Sequence, residues 1–168
     1  MSTPCRIGKR KEDGTISSIY CHFDGYVKGG VGEILALHYK DEQTVDKLLG
    51  LGDLSRLGWE PVENPNAWKD EANPAAARAA IFSGKYKEYH EAMHPRSMCD
   101  TYRSRKGEGD VSAKKSATLE DFATLSHTAW AYAYLFEGGR WMTFKGDSLV
   151  PVVKILDGEI PESDDEED

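Results

Sequence analysis

Residues 19–58 read IYCHFDGYVKGGVGEILALHYKDEQTVDKLLGLGDLSRLG, and the change of period along them decides the fold class. The stretch opens with strict alternation. Ile19, Cys21 and Phe23 point one way and Tyr20 and His22 the other, which is the two-residue period of a strand with its apolar side toward a core. Asp24-Gly25 and Gly29-Gly30 punctuate the chain and end that strand. The period then lengthens. Val31, Ile34, Leu35 and His38 fall on an i, i+3, i+4, i+7 stripe, so a helix is predicted over 31–40 with these four on its buried side. Asp41 is a good N-cap for a second short helix that buries Val45, Leu48 and Leu49 and ends at Gly50 or Gly52. Asp53-Leu54-Ser55-Arg56-Leu57-Gly58 reads as one more helical turn closed by glycine.

Upstream, 6–10 and 15–23 pair as a hairpin, because the connector Lys11-Glu12-Asp13-Gly14 ends in a residue suited to positive φ. Downstream, 59–72 is an irregular connector pinned to the body by Trp59 and Trp68. Asn73 as cap and Pro74 at the first helical position start a helix that continues through AAARAAIF to a stop at Gly84. Tyr86, Tyr89, His90 and Met93 keep a helical spacing up to Pro95. Residues 98–104 are predicted as a strand, and Thr118 with Asp121 resembles a capping box for a helix that buries Leu119, Phe122 and Leu125. A second hairpin follows, AWAYAYLF-EGG-RWMTF. Trp130, Tyr132, Tyr134 and Phe136 line one face of it, and Ala129, Ala131, Ala133 and Leu135 the other. The small residues on that second face call for a closely packed helix. Residues 148–156, with Pro151 inside, fit a strand or a helix equally. Strands and helices occur in groups rather than in alternation. The expected fold is therefore α+β: an antiparallel sheet made of the N-terminal and C-terminal hairpins, with helices mainly on one face.

The charge is unevenly placed. Of 29 acidic residues, eight lie in 157–168, DGEIPESDDEED, which has no basic residue; the remaining 21 balance the 21 Lys+Arg. The expected organisation is one globular domain over 1–156 and a disordered acidic tail over 157–168. No 18-residue apolar run marks a membrane span, and the N-terminus has no apolar segment of signal-peptide type, so a cytoplasmic protein is expected. Cys5, Cys21 and Cys99 are odd in number and widely spaced, as free thiols are. No ligand pair has zinc-site spacing, and His22, Glu33 and His38 match no standard metal pattern. No cofactor motif is present.

Two groups of residues carry candidate chemistry. Strand parity puts His22 and Asp24 on one side, about 6–7 Å apart at Cα, where a carboxylate could orient an imidazole for acid–base work. Tyr26 and Lys28 follow on the same Gly-rich turn. The simpler alternative is that Asp24 bonds its own backbone and His22 a neighbouring loop. Gly29-Gly30-Val31-Gly32 offers N–H groups at a helix start, but it has neither the Walker nor the dinucleotide spacing. The second group is Tyr102, Arg103, Arg105 and Lys106, where Arg could fork onto a phosphate or carboxylate beside a stacking ring. The alternative is a solvated loop or a dock for the acidic tail.

The strings YCHFDGYVKGGVGEILALHY and LGDLSRLG, with the later TYRSRKGEGDVSA and LFEGGRW, resemble the signature of a family of small uncharacterised bacteriophage and prophage proteins. The resemblance covers 6–58 and 99–145; 59–96 looks like an insertion. It implies a phage-type accessory protein acting in the bacterial host cytoplasm, and it brings no catalytic residue or cofactor with it. The leading expectation is a non-enzymatic protein that binds a host macromolecule, a host protein, for host takeover or anti-defence. A small nucleotide- or phosphate-ligand-binding protein or enzyme, using His22 and Asp24 with Arg103 and Arg105, is the first alternative. A nucleic-acid binder autoinhibited by its acidic tail is the second, although a neutral body lacks the large basic patch such binding uses.

Overall fold

The alternation that opens the 19–58 stretch becomes the second strand of a mixed sheet. The structure, a computed structural model, describes residues 2–126 and 132–162. In chain order its elements are β1 (Cys5–Arg10), β2 (Ile16–Cys21), α1 (Val31–His38), α2 (Glu42–Gly50), β3 (Leu54–Arg56), α3 (Lys69–Ala72), α4 (Ala75–Phe82) and α5 (Tyr86–Met93). There follow β4 (Asp100–Thr101), a 3₁₀ turn (Tyr102–Ser104), β5 (Lys114–Ser116), α6 (Leu119–Ser126), β6 (Tyr132–Glu137), β7 (Arg140–Lys145), β8 (Ser148–Pro151) and α7 (Val152–Leu156). The sheet runs β4-β3-β2-β1-β6-β7-β8, with β5 also paired to β2.

Both expected hairpins form. β1 and β2 pair antiparallel from Cys5↔Cys21 to Arg10↔Ile16, and β6 and β7 join through Gly138 and Gly139, whose φ values of 62° and 79° make the primed turn that matches strand twist. The expectation of an all-antiparallel sheet is corrected. The hairpins meet through β1 and β6, which run parallel from Cys5↔Tyr132 to Lys9↔Phe136, and β3 lies parallel to β2. The second parallel pair follows from connectivity: α1 and α2 form a crossover between β2 and β3, and a crossover returns the chain in the same direction.

α1, α2 and α7 cover one face of the sheet. Val31, Leu35, Val45, Leu48, Val152 and Ile155 pack there against Ile7, Ile19, Tyr134 and Phe136. α6 covers part of the other face, where Phe122 meets Ile16, Ala133 and Leu135. Its ring sits so close over β1 that a Cβ on Gly8 would lie 2.9 Å from it. On the small-residue face of the second hairpin Phe122 meets Ala133 and Leu135; Ala129 and Ala131 of that face, and Trp130 of the other, lie outside the described residues. α3, α4 and α5 bury no residue and form an outlying arm.

Several local expectations change. Residues 53–58 give β3 rather than a helical turn, because the Asp53 N–H bonds Val111 O at 2.7 Å and holds the chain extended at the sheet edge. The strand expected over 98–104 shortens to Asp100–Thr101 and tightens into the 3₁₀ turn. His38 is exposed; Tyr39, one residue later, takes the buried place, with its hydroxyl donating to Gly58 O at 2.8 Å. Phe23 is 41% exposed, because β2 ends at Cys21. Asn73 precedes the helix start and Pro74 is the N-cap of α4. Leu125 is also exposed. The Asp41 cap forms as read, accepting from Thr44 N at 2.8 Å, and Thr118 Oγ1 accepts from Asp121 N at 3.1 Å. Residues 148–156 divide at Pro151 into strand and helix. Of the expected tail, 157–162 have described places and 163–168 lie outside the described residues.

Candidate functional site

The loop between β2 and α1 is built by backbone bonds. Asp24 stands at φ 59°, a left-handed conformation that a short polar side chain tolerates. From there its carbonyl accepts from Val31 N at 2.8 Å, while Tyr26 O accepts from Gly32 N at 3.3 Å and Val27 O from Glu33 N at 3.0 Å. The N–H groups at the start of α1 are thus taken by the loop's own carbonyls, which leaves Gly29-Gly30-Val31-Gly32 no anion cradle. Its glycines have a steric role instead. A Cβ on Gly30 would lie 2.4 Å from both Asp24 O and Tyr26 O. The loop is fixed to the sheet from below, where the buried Tyr134 hydroxyl donates to Gly25 O at 2.6 Å.

Beside this loop lies a cleft of about 420 Å³. The loop supplies Phe23, Asp24 and Gly30, α1 supplies Glu33, Ile34, Leu37 and His38, and the chain around β3 supplies Arg56, Leu57 and Trp59. Arg96 completes the rim. Three large apolar side chains stay open to solvent here: Phe23 at 41%, Leu37 at 56% and Trp59 at 42%. The His38 ring stacks on Trp59 at 5.5 Å and 17° between planes, which stiffens one wall. Arg56 is held in place: Nε donates to Asp100 Oδ2 at 3.1 Å, and Nη2 to Pro95 O and Met98 O at 2.9 Å each. Asp100 also contacts His94 Nδ1 at 2.8 Å and accepts from Asn64 Nδ2 at 2.7 Å. A network of polar groups thus ties the outlying arm to the cleft wall.

The sequence-derived site residues fall in separate places. His22 Nδ1 bonds the Tyr20 hydroxyl at 2.7 Å and its ring meets Phe23 edge-on at 4.5 Å. The Asp24 carboxylate accepts instead from the Tyr26 hydroxyl at 3.3 Å, and its charge pushes the Tyr26 phenol above its ordinary value. Tyr102 stacks on Trp68 at 5.3 Å. Arg103 forks onto Glu63 at 2.7 and 2.8 Å and donates to Gly50 O at 3.0 Å. That pair draws the Glu63 carboxyl below its ordinary value. Arg105 forks onto Glu71 at 3.0 and 2.6 Å and lies 4.9 Å over the Trp68 ring. Both arginines are bonded to carboxylates of the chain itself. Of His22, Asp24, Tyr26, Lys28, Tyr102, Arg103 and Arg105, Asp24 alone lines the cleft.

Leu37, Arg56 and Arg96 escaped sequence reading, and Trp59, expected to pin the connector to the body, stacks on the exposed His38 and stays open to solvent on the cleft wall. The signal for Leu37 is its place off the α1 stripe, on a helix of otherwise apolar character. Trp59 sits in a connector, where no period distinguishes a ring that pins the chain from one that faces a cleft. Among the described residues no group of three or more His, Cys, Asp or Glu is placed to hold a metal, and no helix is long and apolar enough to cross a membrane. Cys5, Cys21 and Cys99 are free and buried, and burial pushes the Cys5 and Cys99 thiols up. No protein-family model matches the chain, and the searches of curated proteins and of solved structures likewise find no match.

Proposed function

We propose that the chain is a non-enzymatic accessory protein of bacteriophage type that binds a host protein, and that the cleft beside the 23–30 loop is its contact surface. The observation that carries this reading is the exposure of Phe23, Leu37 and Trp59 around one concavity. Single exposed apolar side chains are ordinary, but several around one concavity with a charged rim mark recognition sites. Aromatic anchors with a nearby arginine are what binding hot spots use. The phage-type origin rests on the resemblance of the 19–58 stretch and its later counterparts. A small anionic ligand is a second reading, favoured by the cleft's volume, which falls within the range of small-molecule pockets. Its anion contact would come from Arg96 on the cleft rim, since Arg56 is paired with Asp100, Arg103 with Glu63 and Arg105 with Glu71.

The test is capture from a bacterial lysate by immobilised full-length chain, wild type against a Leu37→Ala/Trp59→Ala double variant. A discrete partner retained by wild type and weakened about tenfold or more in the variant is expected, the usual scale for loss of a hot spot. An identical set of retained proteins for the two chains, or none for either, overturns the assignment.

A further inference from the structure

The 24–30 loop holds a carboxylate. Glu162 Oε2 accepts from Val27 N at 3.0 Å and Oε1 from Lys28 N at 3.0 Å, while the Tyr132 hydroxyl donates to Oε2 at 3.2 Å. Two consecutive backbone N–H groups aimed at one anion form a nest, and a carboxylate meeting them with both oxygens makes charge-assisted bonds of the stronger kind. The contact is not a by-product of local chain geometry, since Glu162 lies 135 positions from Val27. Neighbouring N–H groups of the loop find backbone acceptors instead: Gly25 bonds Thr3 O, Gly30 bonds Val27 O and Val31 bonds Asp24 O. Val27 and Lys28 direct theirs outward to the acid. Neither they nor Tyr132 and Glu162 line the cleft, so this is a second locus on the same loop.

We infer that the N–H groups of Val27 and Lys28 with the Tyr132 hydroxyl form a carboxylate-recognition site, which the chain fills with its own Glu162 and which an acidic peptide segment of a partner takes in trans. The seated group defines the chemistry. Two coplanar acceptor oxygens match two adjacent donors, and the third donor reinforces one of them. Glu162 belongs to the acidic C-terminal segment, and 157–162 reach the loop from α7, with Ile160 N bonding Lys154 O at 3.0 Å on the way. The tail thereby acts as an internal competitor for the site.

The experiment follows the amide resonances of Val27 and Lys28 in isotope-labelled full-length protein during titration. The probes are the peptide EIPES, residues 159–163, its counterpart carrying E162Q, and inorganic phosphate. In the full-length Glu162→Ala variant, and in Glu162→Gln as a size-matched second variant, both amides should shift saturably with EIPES. The E162Q peptide should bind at least about fivefold more weakly, and wild-type protein should need at least about fivefold more EIPES, because its seat is occupied. The inference is overturned if neither variant responds, if the two peptides act alike, or if wild type responds as the variants do. Phosphate shifting both amides as strongly as the peptide overturns the carboxylate assignment.

Discussion

Replacing Tyr134 by Phe removes one oxygen and leaves the ring, so it isolates the bond that holds the 24–30 loop to the sheet. Tyr134 is fully buried on β6, and its hydroxyl donates to Gly25 O at 2.6 Å. Burial pushes that phenol well above its ordinary value, which favours the protonated, donating form. Without it, the Gly25 carbonyl loses this donor in a place where water does not readily replace it, because Gly25 itself is buried. Loss of a net hydrogen bond plus part of the desolvation penalty amounts to about 1–2 kcal/mol. For a chain of this size each kcal/mol lowers Tm by about 2–4 °C, giving a fall of about 2–8 °C. Urea unfolding should show that loss as a lower midpoint with an unchanged slope. Hydrogen exchange should show faster exchange at Val31 and Gly32, whose amides bond the loop carbonyls. A Tyr134→Phe protein within about 0.3 kcal/mol of wild type, with unaltered exchange at those amides, refutes the argument that this bond fixes the loop.

Gly30→Ala places a methyl 2.4 Å from two backbone oxygens that cannot retreat without releasing Val31 and Gly32, so a loss of about 2–4 kcal/mol is expected in urea unfolding. Phe122→Ala empties the cluster between α6 and β1 and should cost about 3–5 kcal/mol by the same measurement. Arg56→Ala takes the guanidinium from Asp100, 7% exposed at its side chain; it should lose about 2–4 kcal/mol and speed proteolysis of the arm formed by α3, α4 and α5. Acid should reveal two opposed carboxylates. Glu63, lowered by Arg103, contributes stability above its ordinary value of 4.5 that is lost as pH falls through the lower folded value. Asp53, raised by burial, contributes stability that is full below its ordinary 3.8 and lost as pH rises through the raised folded value. Calorimetric Tm against pH should therefore fall less steeply with acid in Glu63→Gln and more steeply in Asp53→Asn than in wild type.

Local signals in the sequence were strong where one residue type has one physical role. Asp41 and Thr118 cap their helices, Gly14 and the Gly138-Gly139 pair turn the hairpins, and Val45, Leu48 and Leu49 bury a helical face. What the chain did not reveal was pairing between distant segments. Period and turn chemistry define a hairpin, but nothing local specifies that β1 would meet β6 in parallel. β3 is three residues long and carries no strand alternation, so its identity comes from Cys21 and Thr101 on either side. The candidate site residues are separated for a related reason. His22 and Asp24 have suitable parity, but β2 ends before both of them, and the left-handed turn at Asp24 directs its carboxylate to Tyr26. Arg103 and Arg105 looked available because Glu63 and Glu71 lie 40 and 34 positions away. Cleft residues such as Leu37 and Trp59 are defined by what fails to cover them, and that is a property of the folded surface.

Site-specific photo-crosslinking tests whether the cleft around Leu37 and Trp59 is a recognition surface. A photoreactive residue is placed at position 37, 56% exposed in the cleft, and in a second protein at position 82, 90% exposed on α4 and outside it. Irradiation in a bacterial lysate should give one discrete crosslinked partner from position 37 and none from position 82. The same products from both positions, or none from position 37, contradict a recognition role for the cleft.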